Sequence, residues 1–139
     1  MKVLIIEDSY LKQTQAKTIL DEFNVESYEV VGCVMDVLLN MTSLDHDLII
    51  ADLGLPLRRG ESVRNETEGY RMLCDLAFEK IEIPTIIFSS TELDEGKVEY
   101  LEDVEYPLLG QARDAKELRD QVQRFIAPDE DIKHGKVIN

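Results

Sequence analysis

Short runs of continuous apolar residues alternate along the chain with longer amphipathic segments, and this alternation restricts the fold more than any other feature. The clearest run is Leu48-Ile49-Ile50-Ala51, between Asp47 and Asp52. Four apolar residues in a row, two of them β-branched, predict a short strand buried on both faces. Similar strands are predicted at residues 2–6 and 83–88, and weaker ones at 26–31 and 106–109.

Helical segments follow the predicted strands. The first has an apolar stripe of Leu11, Ile19, Leu20 and Phe23, and the last has one of Leu118, Val122, Phe125 and Ile126. Five strand–helix units without an internal repeat predict a single α/β domain with a parallel sheet, helices on both faces and right-handed crossovers. We expect this domain to cover residues 1–127, followed by a polar C-terminal tail at 128–139.

Composition excludes several classes of function. The 139 residues carry a formal net charge of −14, which argues against nucleic-acid binding because phosphate contacts need a positive surface. The longest apolar runs are strand-sized and no signal peptide is recognisable, so we expect no membrane association. Cys33 and Cys74 lie in apolar segments and are interpreted as reduced thiols, which favours a cytoplasmic location.

Polar residues follow three of the predicted strands. Glu7 and Asp8 follow the first, Asp52 follows the third and Ser89 follows the fourth. The carboxyl ends of parallel strands meet at one edge of a sheet, where ligands of such folds bind. Three clustered carboxylates favour a hard divalent cation such as Mg²⁺. A carboxylate beside that ion can act as a nucleophile towards phosphorus, and a hydroxyl such as that of Ser89 can bind a phosphoryl oxygen.

At these positions the chain resembles the receiver domains of two-component response regulators. The matching segments are Leu4-Ile5-Ile6-Glu7-Asp8-Ser9, Asp47-Leu48-Ile49-Ile50-Ala51-Asp52-Leu53-Gly54-Leu55-Pro56, Gly69 at the start of the third helix, and Pro84-Thr85-Ile86-Ile87-Phe88-Ser89. The resemblance implies a flavodoxin-like (βα)5 fold with strand order 2-1-3-4-5. It covers about residues 1–127, so we expect a stand-alone receiver without an output domain.

The resemblance also implies roles for individual residues. Asp52 would be the phosphoacceptor, phosphorylated by a phosphohistidine on a histidine kinase or phosphotransfer protein. Glu7, Asp8, Asp52 and the backbone carbonyl of Gly54 would hold Mg²⁺, and Ser89 would be the switch hydroxyl. The implied function is a signalling relay that changes its binding to an unknown downstream protein, rather than an enzyme with a substrate of its own.

Three features depart from the family pattern. Gln111 stands where receivers have a lysine, so a hydrogen-bond donor remains but the charge is lost. The switch aromatic is expected near Leu108, and Tyr106 is a candidate substitute. A polar loop at residues 57–68 exceeds the usual length, and its Arg58 and Arg59 are candidates for contact with the site or with an acidic partner.

These departures leave a second hypothesis open. The chain can be a pseudo-receiver, an interaction module with the same fold that never uses phosphorylation of Asp52. A flavin protein on this fold is a weaker third hypothesis, because no glycine-rich phosphate-binding loop follows the first strand.

Overall fold

A computed structural model describes residues 1–62 and 66–128 of the chain. Its strands are β1 (Lys2–Ile6), β2 (Ser27–Val31), β3 (Leu48–Ala51), β4 (Thr85–Phe88) and β5 (Leu108–Ala112). Its helices are α1 (Tyr10–Glu22), α2 (Val34–Leu39), α3 (Glu66–Phe78), α4 (Glu95–Asp103) and α5 (Ala115–Ile126). Strands and helices alternate throughout, as the apolar pattern predicts.

The five strands form one parallel sheet in the order β2-β1-β3-β4-β5. This is the predicted flavodoxin-like arrangement. Ile6 is paired with Ala51, and Ala51 is paired with Ile87. The chain therefore leaves β1, β3 and β4 at nearly the same level, and the polar residues that follow these strands share one edge of the sheet.

Each face of the sheet contributes to its own buried cluster, because successive side chains of a strand point to opposite faces. On one face, Leu4, Ile49 and Ile87 pack with residues of α2, α3 and α4. On the other face, Ile5, Ile50 and Phe88 pack with residues of α1 and α5, among which Ala16, Leu20, Leu118 and Val122 are fully buried.

Capping residues fix the starts of α1 and α5, the two helices that share one face of the sheet. The side chain of Ser9 accepts a bond from the backbone N–H of Lys12 at the start of α1. Asp114 does the same for the N–H of Glu117 at the start of α5, at 2.9 Å. The sequence allows either Ser9 or Asp8 as the cap of α1 and predicts Asp114 as the cap of α5, since short polar side chains satisfy N–H groups that the first turn leaves free.

The structure corrects the predicted loop at residues 57–68. Helix α3 begins at Glu66, three residues before Gly69, so the last part of that segment is helical; residues 63–65 lie outside the described part of the chain. Gly69 lies inside the helix and permits close packing there, because a Cβ at this position would overlap the backbone of Leu53. The helix therefore packs directly against the turn that follows β3.

The fifth strand is also displaced from its prediction. It runs over Leu108–Ala112 rather than 106–109, since its later residues Gly110 and Gln111 are not part of an apolar run. Its pairing with β4 is irregular: Thr85 is paired with Leu108, but Ile86 is paired with Gly110. Tyr106 lies before the strand, is 5% exposed, and has its hydroxyl 2.7 Å from Oγ1 of Thr85. Tyr106 is therefore a buried residue that precedes β5 and is not part of the strand.

Residues 129–139, most of the predicted polar tail, lie outside the described part of the chain. Among the residues that are described, no helix has the length and apolar character needed to cross a bilayer.

Candidate functional site

Three carboxylates predicted to lie together do so at the carboxyl edge of the sheet. One oxygen from each of Glu7, Asp8 and Asp52 lies within 4.8 Å of the others, and we call these residues the carboxylate cluster. Glu7 is 2% exposed and Asp52 is 8% exposed, whereas Asp8 is half-buried. Such close carboxylates destabilise one another unless a positive charge is present.

Hydrogen bonds to backbone groups fix both the main chain and the side chain of Asp52. Its N–H donates to the carbonyl oxygen of Ile6 at 2.9 Å, which extends the pairing of β3 with β1 by one residue. Oδ1 of its side chain accepts a bond from the N–H of Leu53 at 2.8 Å. Since Leu53 lies against Gly69, the packing of α3 helps to define where this carboxylate points.

Glu7 is oriented by the turn between β1 and α1. Its Oε2 accepts a bond from the N–H of Ser9 at 3.1 Å, and the carbonyl oxygen of the same residue accepts one from Nε2 of Gln13 at 2.8 Å. Oε1 is buried, and the ammonium of Lys12 lies 3.1 Å from it. Burial, and next the negative charge of Asp52, raise the pKa of Glu7 to about 7, while Lys12 acts in the opposite direction.

Lys12 is the site residue that sequence reasoning missed. Its Nζ lies 3.1 Å from Oε1 of Glu7 and 3.2 Å from Oδ1 of Asp52. The same ammonium donates to the carbonyl oxygen of Phe88 at 2.9 Å and lies 4.8 Å from the centre of that residue's ring. A positive charge in the first turn of a helix is electrostatically unfavourable, so its presence three residues after the Ser9 cap was a signal for a nearby acid.

Ser89 lies where the sequence places it, directly after β4. It is 5% exposed, and its N–H donates to the carbonyl oxygen of Ala112 at 3.0 Å. Its Oγ accepts a bond from the N–H of Thr91 at 3.3 Å, and because accepting this bond does not use the hydroxyl proton, that proton can still be donated. The residue before it, Phe88, carries the carbonyl oxygen that accepts the bond from Lys12.

Gln111 does not point at the carboxylate cluster. It is paired with Ile87, whose side chain belongs to the face covered by α2, α3 and α4. Its Oε1 accepts a bond from the N–H of Leu93 at 2.8 Å, in the segment between β4 and α4. The side chain therefore fastens that segment to β5, and the role of Gln111 as the counterpart of the family lysine stays a prediction.

The donors fit a hard divalent ion in kind. All three side chains offer carboxylate oxygens, and the buried Oε1 of Glu7 already lies 3.1 Å from one cation, the ammonium of Lys12. Gly54 follows in the turn after Asp52, and a Cβ added to it would lie 3.9 Å from Oδ2 of that carboxylate. That closeness is compatible with the predicted backbone ligand, which stays a prediction.

The segment after β3 is attached to α2 and lines a cavity together with Asp8 of the carboxylate cluster. The carbonyl oxygen of Leu57 accepts a bond from the N–H of Met35 at 2.9 Å, and its side chain packs against the core. Arg59 binds Oδ2 of Asp36 at 2.6 Å, and its predicted contact with the site or with an acidic partner stays a prediction. Arg58 is exposed and lies 3.8 Å from Glu61.

Similarity searches support the fold by structure and not by sequence. No family model and no curated protein matches the sequence. A signal receiver domain of a two-component histidine kinase from Clostridium thermocellum has a TM-score of 0.71 at 19% identity, covering 91% of this chain and 97% of that one. The chemotaxis response regulator CheY4 of Vibrio cholerae has a TM-score of 0.64 at 17% identity, covering 88% and 96%.

A third solved structure is the Mn²⁺-bound form of the response regulator Rcp1, with a TM-score of 0.66 at 16% identity and 88% of each chain covered. The fold of this chain is therefore the receiver fold, as the sequence resemblance implied. At these levels of identity the likeness extends to the fold alone.

Proposed function

We propose that this protein is a signalling relay of the two-component type, in which Asp52 accepts a phosphoryl group with the help of Mg²⁺. The observation that carries the proposal is the carboxylate cluster, three acidic side chains within 4.8 Å at the edge where parallel α/β sheets bind their ligands. Glu7, Asp8 and Asp52, with the carbonyl of Gly54, would hold the ion. When bound, it would neutralise the carboxylates and the incoming phosphoryl oxygens.

The proposed transfer uses Asp52 as a nucleophile. An oxygen of its carboxylate forms a bond to phosphorus while the phosphorus–nitrogen bond of a phosphohistidine breaks. The imidazole nitrogen leaves with the electron pair of that bond and takes up a proton from solvent. The products are an acyl phosphate on Asp52 and a free histidine on the donor, with no net oxidation or reduction.

Several features of the site support Asp52 in this role over its neighbours. Glu7 is more deeply buried and its carboxylate is bound by Ser9, which suits a residue that holds an ion. Asp52 has one oxygen fixed by Leu53, so the carboxylate has a defined orientation. Ser89 lies at the adjacent strand end with a hydroxyl proton available for a phosphoryl oxygen.

The partners proposed for the relay are a histidine kinase or a phosphotransfer protein upstream and an unidentified protein downstream. The protein is a phosphoacceptor that takes part in its own modification, so it is not proposed to turn over a substrate as an enzyme does. We also propose that it works in the cytoplasm, where such donors are found, without binding nucleic acid or a membrane.

One observation favours the pseudo-receiver alternative. The ammonium of Lys12 already contacts Glu7 and Asp52, so part of the negative charge of the cluster is balanced within the chain. An acidic cluster that carries its own cation can be a structural feature of an interaction module. This alternative predicts that neither Mg²⁺ nor a phosphodonor changes the protein.

The two functions are separated by intact-mass spectrometry after incubation with acetyl phosphate, with and without Mg²⁺. The proposed function predicts a gain of one phosphoryl group only when Mg²⁺ is present, and no gain in Asp52→Asn. Asp120→Asn, the same change on the exposed surface of α5, serves as the control and should be phosphorylated normally. A wild-type protein that stays unmodified with acetyl phosphate and with phosphorylated kinases would favour the pseudo-receiver.

A further inference from the structure

Strand β5, Leu108–Ala112, carries no cationic side chain at the position where the family resemblance implies a lysine. Gln111 is uncharged and its side-chain oxygen is bound to Leu93 on the opposite face of the sheet. A phosphoryl group on Asp52 would add negative charge next to Glu7 and Asp8. Bringing charge of one sign together in a partly buried place is unfavourable without a cation beyond the metal ion.

Lys12 supplies a cation at this place from a different element. Its ammonium approaches from α1, on the face of the sheet that carries Phe88, and lies between the ends of β1, β3 and β4. Its three contacts are carboxylate or carbonyl oxygens, at 3.1, 3.2 and 2.9 Å. The side chain is 25% exposed, so it is partly but not fully shielded from solvent.

The position of Lys12 along its helix indicates that this contact has a specific role. It lies in the first turn of α1, where the N-terminal end of the helix disfavours a positive charge. Its ammonium lies over the ring of Phe88, which is 2% exposed and packs in the core. A lysine held this way keeps its charge at the carboxylates instead of extending into solvent.

We propose that Lys12 binds the phosphoryl group on Asp52 and so supplies, from helix α1, the positive charge that Gln111 does not provide from β5. The proposal rests on the proposed function, since it needs Asp52 to be phosphorylated. In the unmodified protein the ammonium balances Glu7 and Asp52. Once phosphorus is bonded to the Asp52 carboxylate, the phosphoryl oxygens come within reach of the same ammonium by rotations of the lysine side chain.

The cation balance of the site agrees with this role. Taken by themselves, the three carboxylates and the ammonium of Lys12 carry two net formal negative charges, equal and opposite to the charge of one divalent ion. The site could therefore hold Lys12 and Mg²⁺ together without excess positive charge, although both would contact the same carboxylates. Removal of the lysine charge should leave Mg²⁺ binding intact or strengthen it, while binding of a phosphoryl group becomes weaker.

The test uses beryllium fluoride, which binds aspartate carboxylates as a phosphoryl mimic, with ¹⁹F NMR to follow binding at saturating Mg²⁺. Lys12→Met removes the charge and keeps an unbranched apolar chain against Phe88. We expect its affinity for the mimic to fall by roughly tenfold or more, since hydrogen bonds between charged groups are the stronger class. Lys17→Met, the same change five residues later on α1, should bind the mimic like the wild type.

A second measurement separates phosphoryl binding from a structural role. Mg²⁺ affinity without the mimic is measured by calorimetry for the same three proteins. We expect Lys12→Met to bind Mg²⁺ at least as well as the wild type, whereas a damaged site would lose the ion and the mimic together. If Lys12→Met does not fold, Lys12→Arg keeps the charge on a different geometry, and we expect it to retain binding of the mimic within severalfold of the wild type.

The possible results distinguish this proposal from the proposed function. If the wild type and Lys12→Met bind beryllium fluoride equally well, the role of Lys12 is wrong while the phosphoacceptor function stands. Parallel loss of Mg²⁺ and mimic in Lys12→Met, or loss of the mimic in Lys12→Arg, would also overturn the role of Lys12. A wild-type protein that binds neither Mg²⁺ nor the mimic would overturn both proposals.

Discussion

The ammonium of Lys12 lies 3.2 Å from Oδ1 of Asp52, so the first turn of α1 places a positive charge directly on the proposed phosphoacceptor. The same Oδ1 accepts a bond from the backbone of Leu53 at 2.8 Å. The carboxylate is thus oriented by one charged and one neutral donor before any ligand arrives. Its immediate surroundings come from α1 and from the turn after β3.

The first prediction concerns the metal ion. Glu7, Asp8 and Asp52 destabilise one another, so a bound cation should stabilise the folded state through linkage. At a Mg²⁺ concentration about 100 times the dissociation constant, the gain is about 2.7 kcal/mol. For a domain of this size we expect a rise in melting temperature of roughly 10 °C.

The control for this prediction compares two changes of equal charge in a thermal melt. Asp8→Asn should remove most of the shift that Mg²⁺ causes, because a ligand oxygen loses its charge. Asp120→Asn, on the exposed surface of α5, should keep the whole shift. An undiminished shift in Asp8→Asn would take Asp8 out of the metal site.

The second prediction concerns the packing of α3 against the site. A Cβ on Gly69 would overlap the backbone of Leu53, whose N–H binds Asp52. We expect Gly69→Ala to destabilise the protein by about 1–3 kcal/mol through overpacking. Alanine's better helix propensity, about 1 kcal/mol, acts in the opposite direction and should not outweigh the overlap.

Gly96 in α4 provides the matched control for this change. There the nearest atom to an added Cβ is Oδ1 of Asp94 at 3.5 Å, so no overlap arises. Gly96→Ala should therefore leave stability unchanged or raise it by up to about 1 kcal/mol. The measurement is the urea midpoint of both variants. Equal midpoints would mean that α3 can move away from Leu53 at little cost.

The third prediction concerns Gln111. Its side-chain oxygen binds the N–H of Leu93 at 2.8 Å, so it restrains the segment between β4 and α4. Gln111→Lys removes the acceptor, and we expect faster amide exchange at Leu93 even before any phosphoryl mimic is added. Gln111→Glu keeps an acceptor oxygen and should retain slow exchange. Fast exchange at this amide in the wild type would show that the bond does not persist in solution.

A fourth prediction joins Gln111 to Lys12. If the site needs one cation beyond the metal ion, a lysine introduced on β5 should partly replace the one removed from α1. We expect Gln111→Lys to restore part of the beryllium fluoride affinity lost in Lys12→Met. Gln111→Met in the same background serves as the control for the loss of the Leu93 bond and should restore none. Equal affinities in the two double variants would show that charge from β5 cannot reach the site.

Much of this arrangement follows from the apolar pattern of the sequence. The buried runs at β1, β3 and β4 predict the strands, and their parallel pairing predicts that Glu7, Asp8, Asp52 and Ser89 share an edge. The caps at Ser9 and Asp114 also follow from local chemistry. These features depend on residues close together in sequence or on the alternation of strands and helices, so they can be predicted from one sequence.

The features that escaped prediction depend on contacts between distant segments. Lys12 is one polar residue among several on α1, and only the approach of that helix to the ends of β3 and β4 shows which way it points. Strand β5 begins at Leu108, after Tyr106, and its pairing with β4 is irregular. Tyr106 is a buried partner of Thr85. The start of α3 at Glu66, three residues before Gly69, was not predicted because the first turn of this helix is polar.

The most direct measurement is the chemical identification of the phosphorylated residue. The protein is incubated with acetyl phosphate and Mg²⁺, reduced with borohydride, which converts an aspartyl phosphate to homoserine, and mapped by peptide mass spectrometry. We predict homoserine at position 52 in the Mg²⁺ sample and none in a sample with a chelator. Unmodified Asp52 in both samples, or modification at another carboxylate, would contradict the assignment of Asp52 as the phosphoacceptor.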